Sequence, residues 1–490
     1  MAILKHVRQI AVIGAGPSGL AATKYLLAEK HFDKIDVFEQ RTSVGGTWNY
    51  CPAAFKQRVS VPVPHTNPHE PVEEPKWKPT GDHQGTQEPA FVSPIYRTLD
   101  TNLPKELMRY SDKEFPADVQ ALPHHPTVKK YLEEYGDDIK GHVQFETQVL
   151  DVRQRISGSH TWDLVTRNLR TGAKRTDAYD AVVVASGHFD VPYVPNIAGI
   201  SDWNKAYPGV VSHSKVFDSP DPFHGKKAVL VGSSASAIDI GSQISQVSRG
   251  KLLVSQRTES YLLPSTDADK DYFPEIVEFL PPNQHERAVR FADGRVEEEI
   301  DSIVFCTGYF YSFPFLSSLD PPVITDGRRV RNVYEHLFYI DDPTLVFPVL
   351  TQRVIPFPMS ENQAAVFARV WSGRLELADR DQMKAWEDSL VAEKGEGTAF
   401  HLLPFPQDAN HLNMLYDWAA RATTRDGLAN DGKGKQGTYW GEREKWLRSL
   451  FPEIRKRFVG KGPERHNITS LVDLGYDFGR WKQEQQGSRL

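Results

Sequence analysis

The chain has 490 residues, a length that suits two or three domains with a large core. Apolar residues make up 39% and charged residues 25%, with 34 Gly and 34 Pro spread along the chain, which excludes collagen-like and wholly disordered classes. Lys and Arg total 58 against 64 Asp and Glu, a net charge of −6 with no basic run at either end, which argues against nucleic acid as the main partner.

Residues 9–16 (QIAVIGAG) predict a strand closed by glycine, and residues 180–187 (DAVVVASG), 227–234 (KAVLVGSS) and 302–309 (SIVFCTGY) repeat the design. Continuous β-branched runs of this kind suit strands buried on both faces, as in a parallel sheet covered by helices. Residues 17–27 predict a helix, with Pro17 at its start and Leu20, Ala21, Ala22 and Leu26 on one face. The strand 34–39 (KIDVFE) completes a βαβ unit.

Within that unit Gly14, Gly16 and Gly19, with Ala15, Pro17 and Ser18 between them, form GxGxxG. The first glycine makes the tight turn, the second lets backbone reach a pyrophosphate, and the third lets helix and strand pack closely. The helix start then offers N–H groups to the phosphates. Glu39, 20 residues past Gly19, stands where an acid accepts hydrogen bonds from ribose hydroxyls; a solvated surface glutamate is the alternative.

Seven prolines between Pro62 and Pro89 exclude a helix and a central strand there, leaving a long ordered surface loop or a lid. His65, His69 and His83 within it have no close pair at metal-ligand spacing. Further on, Ala237, Ile240, Gly241, Ile244 and Val247 recur at helical spacing and residues 251–257 (KLLVSQR) supply a strand, so a second βαβ unit is expected. Its turn reads GSSASA, Gly232 to Ala237, with Ser234 in place of the second glycine, Ala237 in place of the third, and Ser236 beside it. Arg257 lies 25 residues after Gly232, as Glu39 lies 25 after Gly14, so the spacing predicts arginine in the acid's slot. A guanidinium there accepts a 2′-phosphate and selects NADPH over NADH; an exposed arginine without a ligand is the other reading.

Residues 360–363 (SENQ) form a capping box and predict a helix from Ser360 to about Leu377. Helical patterns at 381–394, 410–423 and 440–458 carry no site motif and read as packing.

The segments VGGTWNY (44–50), YRTLDTNLPKELMRYSD (96–112), YPGVVSHSKVF (207–217) and CTGY (306–309) resemble the flavin-containing monooxygenases, class B flavoprotein monooxygenases, most of all their fungal branch. The resemblance runs from about residue 10 to Gln363. Its fingerprint appears as Tyr207, Gly209, His213 and Phe217, with Tyr where the family has Phe. Phe217-Asp218 stands where Baeyer–Villiger relatives carry Trp-Pro, which favours heteroatom oxidation.

The resemblance implies an α/β fold of two Rossmann-like domains, an FAD domain from 1–204 and 316–490 with an NADPH domain, 205–315, inserted into it. It assigns FAD the turn residues Gly14 to Gly19, Glu39, Gly46, Thr47, Trp48, Thr101, Asn102, Leu103 and Gln363. NADPH is assigned Gly232, Ser234, Ser236, Ala237 and Arg257. Asn102 is the expected catalytic residue, beside flavin and nicotinamide ribose; the alternative is a turn residue bonding its own backbone before Pro104. Trp48 would wall the flavin, and His213 would be structural, at the link between domains. The implied reaction has NADPH reduce FAD, dioxygen give a C4a-hydroperoxyflavin, and a soft sulfur or nitrogen nucleophile take the distal oxygen under retained NADP⁺, with water excluded. Beyond the resemblance, the helix at Ser360 is expected to aim its positive end at the flavin; an ordinary capped surface helix is the alternative.

A Baeyer–Villiger or N-hydroxylating enzyme, and a cofactor-binding redox sensor without turnover, remain alternatives. Expected partners are a small nucleophilic substrate and dioxygen, with no nucleic acid and no membrane; a homodimer is one state the sequence allows. Cys51 and Cys306 can make neither a disulfide framework nor a four-ligand zinc site, and no metal is expected. No apolar run approaches 18 residues, and the early first strand leaves no room for a signal peptide, so the expected location is the cytoplasm. Ser488-Arg489-Leu490, a variant of the S-K-L address, makes the peroxisomal matrix the alternative.

Overall fold

The computed structural model describes residues 6–57, 59–79, 87–155, 161–258 and 268–487. His83 and the tripeptide 488–490 therefore lie outside the described residues.

The glycine-closed runs form strands that stop short of their glycines: Gln9–Ile13, Ala181–Val184, Ala228–Val231 and Ser302–Phe305. They sort into two sheets. The first, of seven strands, runs Val333–Tyr334, Phe338–Tyr339, Leu345–Val346, Ala181–Val184, Gln9–Ile13, Lys34–Phe38 and Val143–Gln144. The second, of five, runs Val211–His213, Ser302–Phe305, Ala228–Val231, Leu252–Ser255 and Lys270–Phe273. All strands of the second sheet fall between Ala181–Val184 and Leu345–Val346, which are parallel neighbours in the first. Central positions such as Ile10, Val12, Val229 and Ile303 are fully buried, each side chain contributing about 1.5–3 kcal/mol relative to exposure.

Each sheet carries its phosphate-turn helix. Pro17–Ala28 follows the first strand, with Pro17 at the first helical position, where its missing N–H costs no bond. Ala235–Ser245 follows Ala228–Val231, capped at Ser234. A three-stranded antiparallel sheet, Thr147–Gln154, Trp162–Asn168 and Lys174–Tyr179, covers the first sheet through Trp162 and Leu164, which join its core. The proline-rich stretch holds no helix among its described residues; it holds the isolated two-stranded ribbon Lys76–Pro79 and Gln87–Ala90, where proline interrupts no central ladder.

The expected helix start at Ser360 is corrected. The helix runs Pro356–Trp371, begins one turn earlier, and is buried on every side. Pro356 opens it because an N-terminal residue needs no donor, and Ile355 before it is extended. Ser360 caps nothing: its hydroxyl donates to the Phe357 carbonyl at 2.7 Å, and the Gln363 carbonyl oxygen accepts from Val349 N at 2.7 Å. The SENQ run is a buried polar stripe, not a solvent-facing cap. The later helices are Arg380–Lys394, Gln407–Ala420 and Glu442–Gly460.

Candidate active site

The two phosphate turns are built alike. Gly14 (φ +100°) and Gly232 (φ +130°) both sit in left-handed conformations that a side chain would strain. A Cβ on either would lie 2.6 Å from a carbonyl oxygen of the neighbouring strand end, Ala185 for Gly14 and Cys306 for Gly232. Gly14 N donates to Phe38 O at 2.8 Å, and Gly232 N donates to Ser255 O at 2.9 Å. Gly16 caps the first helix, and Gly19 permits the helix to touch the carbonyl of Gly14.

That register corrects the slot assigned to Arg257. Ile13 pairs with Phe38 and Val231 with Ser255, so the residue after each pair is Glu39 in one unit and Gln256 in the other. The second helix has 11 residues against 12 in the first, which moves Arg257 one place beyond the acid's position. Arg257 is exposed, and its Nε donates to Glu275 at 2.8 Å.

Glu39 is buried at 3% exposure, so a solvated glutamate is ruled out. One oxygen accepts from Ala15 N at 2.9 Å and the other from Arg41 N at 2.9 Å. The carboxylate thus braces the phosphate turn. The loop carrying Gly46, Thr47 and Trp48 closes on the same turn: Gly45 N donates to Ala15 O at 2.9 Å, and a Cβ on Gly46 would meet Gly16 Cα at 2.9 Å. Trp48 stands edge-on to Phe357 at 6.5 Å, which brings in the start of the helix Pro356–Trp371.

Thr47 Oγ1 on this loop, Gln363 Nε2 and Arg369 Nε on this helix, and Thr351 Oγ1 shortly before the helix are buried atoms with no hydrogen-bond partner among the described residues. Native interiors leave few such groups unpaired, and a polar ligand seated at this turn would give Thr47 and Gln363 a partner. With a glycine phosphate turn braced by a buried acid and closed by a second glycine loop, the residues fit a dinucleotide such as FAD.

Thr101, Asn102 and Leu103 lie on the loop before the short helix Lys105–Met108. Thr101, not Asn102, makes the turn bond, its hydroxyl donating to Leu103 O at 2.8 Å. Asn102 is half-buried, and its amide makes no hydrogen bond among the described residues, so the turn-residue alternative loses its bond. Ser234 and Ser236 are exposed at the second turn, while Ala237 is buried against the sheet. His213 is fully buried. Lys215 N donates to its Nδ1 and its Nε2 donates to Gly308 O, a neutral tautomer, and burial pushes its pKa down to about 3. This is a structural histidine joining two strand ends.

The sequence reading missed Lys56, Ser93, Tyr96, Asp239, Thr351 and Arg455. Lys56, fully buried, donates to Ile95 O and Phe217 O at 2.6 and 2.7 Å, and burial pushes its pKa down to about 8. Two of these gave a signal: Tyr96 opens the segment 96–112 that carries the resemblance, and Asp239 is an acid inside an otherwise apolar helix pattern. Among the described residues no group of His, Cys, Asp and Glu can hold a metal, and no helix is long and apolar enough to cross a membrane.

Two dinucleotide turns on two sheets, with unpaired polar atoms around the first, define a two-site flavoprotein of the oxidoreductase class. Flavin-binding monooxygenase-like family models match residues 84–280 and 276–396, and an NAD(P)-binding Rossmann-like domain matches 12–74. The flavin-containing monooxygenase FMO GS-OX-like 2 of Arabidopsis thaliana is 32% identical over 429 residues, 84% of each chain. The thiol-specific monooxygenase of Saccharomyces cerevisiae is 30% identical, covering 76% of this chain and 78% of its own. The solved structure of S-allyl-L-cysteine S-oxygenase from Allium sativum superposes with a TM-score of 0.72 at 27% identity, over 99% of both chains. The chain belongs to the flavin-containing monooxygenase family. It is an oxidoreductase that binds FAD and NADPH and uses dioxygen.

Proposed function

We propose that the chain transfers one oxygen atom to a soft sulfur or nitrogen centre of a small molecule. The observation that carries this reading is the linker sequence Phe217-Asp218 in place of Trp-Pro. It is supported by the relatives named for thiol and S-allyl-L-cysteine oxygenation. On this reading residues 1–204 and 316–490 hold FAD and residues 205–315 hold NADPH.

Bound FAD supplies the redox chemistry, accepting hydride from NADPH and activating dioxygen. The chain's residues bind and shield. Gln363 Nε2 and the hydroxyls of Thr47 and Thr351 offer hydrogen bonds from a buried wall, and Trp48 with Phe357 keeps water out. The positive end of the helix Pro356–Trp371 lies at this wall rather than at Ser360, and favours the negative charge of a reduced flavin by up to about 2 kcal/mol. Asn102, whose amide makes no bond among the described residues, would be free to donate to the ribose of NADP⁺. Arg257 lies one place beyond the slot matching Glu39 and is paired with Glu275, so it would hold a 2′-phosphate only by giving up that pair.

The test is product analysis under ¹⁸O₂ with a thioether, N,N-dimethylaniline and a cyclic ketone. Labelled sulfoxide or N-oxide is expected. Lactone as the sole labelled product would overturn the reading in favour of Baeyer–Villiger chemistry, and NADPH oxidation without any labelled product would overturn it in favour of an oxidase or sensor.

A further inference from the structure

We propose that Asp239 is a positioning residue that fixes the second dinucleotide turn against the flavin side of the molecule, with Tyr96 and Arg455 as its partners. Asp239 sits on the second turn of the helix Ala235–Ser245, whose first turn carries Ser236 and Ala237. An acid in a helix interior has poor intrinsic propensity, and this one is largely buried, at 20% exposure. Two distant parts of the chain converge on it. One oxygen accepts from the Tyr96 hydroxyl, and the other accepts from the Arg455 guanidinium at 2.6 Å. Arg455, on the helix Glu442–Gly460, is itself 10% exposed.

Tyr96 belongs to the first unit by chain position and to the second by packing. Its ring is buried in the cluster of Phe217, Leu230, Ala237 and Ile240. It stands on a strap, residues 93–99, that starts at the flavin loop, where Ser93 Oγ donates to Thr47 O. Lys56 pins the strap by donating to Ile95 O and, across the boundary, to Phe217 O. Arg97 N donates to Asp218 O at 3.1 Å, and Thr98 Oγ1 donates to Gln243 Oε1 on the same helix as Asp239 at 2.7 Å. The strap then leads directly to Thr101 and Asn102. A run of seven residues therefore ties the loop of Thr47 to the helix that begins at the NADPH turn, and Asp239 is its terminal anchor.

The reason such an anchor matters is geometric. Hydride transfer needs the two reacting atoms about 3–3.5 Å apart, and a displacement of about 1 Å can cost on the order of a hundredfold in rate. The two reactants here are carried by separate sheets, so the contact between those sheets sets the distance. Binding to the turn alone does not.

This inference rests on NADPH occupying the second turn, and its experiment separates the two. Asp239→Asn and Tyr96→Phe holoenzymes are mixed anaerobically with NADPH and flavin bleaching is followed. The expected result is a reduction rate at saturating NADPH at least tenfold lower in Asp239→Asn, with the NADPH Kd changed less than about threefold. Tyr96→Phe, which keeps the packed ring and loses the bond, falls between and remains decisive if Asp239→Asn does not retain FAD. Without turnover, saturating NADP⁺ should give a flavin difference spectrum of reduced amplitude in both variants. Saturated rates and difference spectra matching the parent in FAD-replete variants would overturn the proposal, as would a loss residing wholly in Kd. A parent enzyme that NADPH fails to bleach would instead sink the two-cofactor reading, and this inference with it.

Discussion

Replacing Glu39 by Gln tests whether the carboxylate braces the phosphate turn as well as meeting a ribose. In the structure both oxygens are already used by protein, one by Ala15 N and one by Arg41 N, each at 2.9 Å. Hydrogen bonds to a charged group contribute about 1.5–3 kcal/mol each. Glutamine keeps one acceptor and presents an NH₂ to the other backbone donor, so one bond is lost and a buried N–H is left facing a donor. The expected cost is about 2 kcal/mol in the apoprotein itself, before any ligand contact is counted. If FAD must restore the turn on binding, the same energy appears as roughly thirtyfold weaker FAD retention. Apoprotein melting and titration with FAD, followed by quenching of flavin fluorescence, measure the two effects separately. A Glu39→Gln apoprotein that melts with the parent, with weakened FAD binding alone, would refute the brace and leave only the ribose contact.

Arg257→Ala should raise the KM for NADPH about tenfold and leave that for NADH nearly unchanged, while Glu275→Gln, which frees the guanidinium, should lower the NADPH value; equal effects on both nucleotides would remove Arg257 from the site. Asn102→Ala should keep flavin reduction within a few-fold of the parent and divert dioxygen to hydrogen peroxide, read by a peroxidase-coupled assay; parent-like peroxide and product yields would show that Asn102 has no such role. Burial pushes the Glu361 carboxyl up from its ordinary 4.5 to about 7, although Ser111 and Thr438 donate to it. An acid whose folded pKa is raised is fully stabilising below 4.5 and loses that contribution as pH rises through 7, a fall of about 3 kcal/mol. Glu361→Gln, whose amide can face the Ser111 and Tyr25 hydroxyls, should flatten the denaturation midpoint between pH 4.5 and 7.5; a parent midpoint that rises across that window would contradict the sign.

The strands and the two phosphate turns were legible because a doubly covered parallel strand needs unbroken apolar residues and a turn against a strand end needs glycine. Both demands are local, and Gly14 and Gly232 meet them in the same way. What failed depended on distant partners. Arg257 was misplaced because counting from Gly232 assumes equal helices, and the second is one residue shorter. Ser360 looked like a cap because a buried polar run and an exposed one share a sequence pattern; the residues beside it are held from outside the helix, Glu361 by Ser111 and Thr438 and Gln363 by Val349. Asp239 depends on Tyr96 and Arg455, residues 143 and 216 positions away. No spacing rule reaches that far.

The pairing of Leu345 with Val182 bears on the order in which the molecule assembles. These neighbours in one sheet enclose between them the whole of the other, so during synthesis every strand of the five-stranded sheet leaves the ribosome before Leu345 does. Chains fold in the order their parts emerge, and long loop closures come late because they must first lose chain entropy. The five-stranded sheet can thus mature while the edge of Ala181–Val184 is still open. A nascent chain halted short of Leu345 holds that apolar strand against Gln9–Ile13 on one side and leaves its other edge open, the kind of edge that recruits other chains.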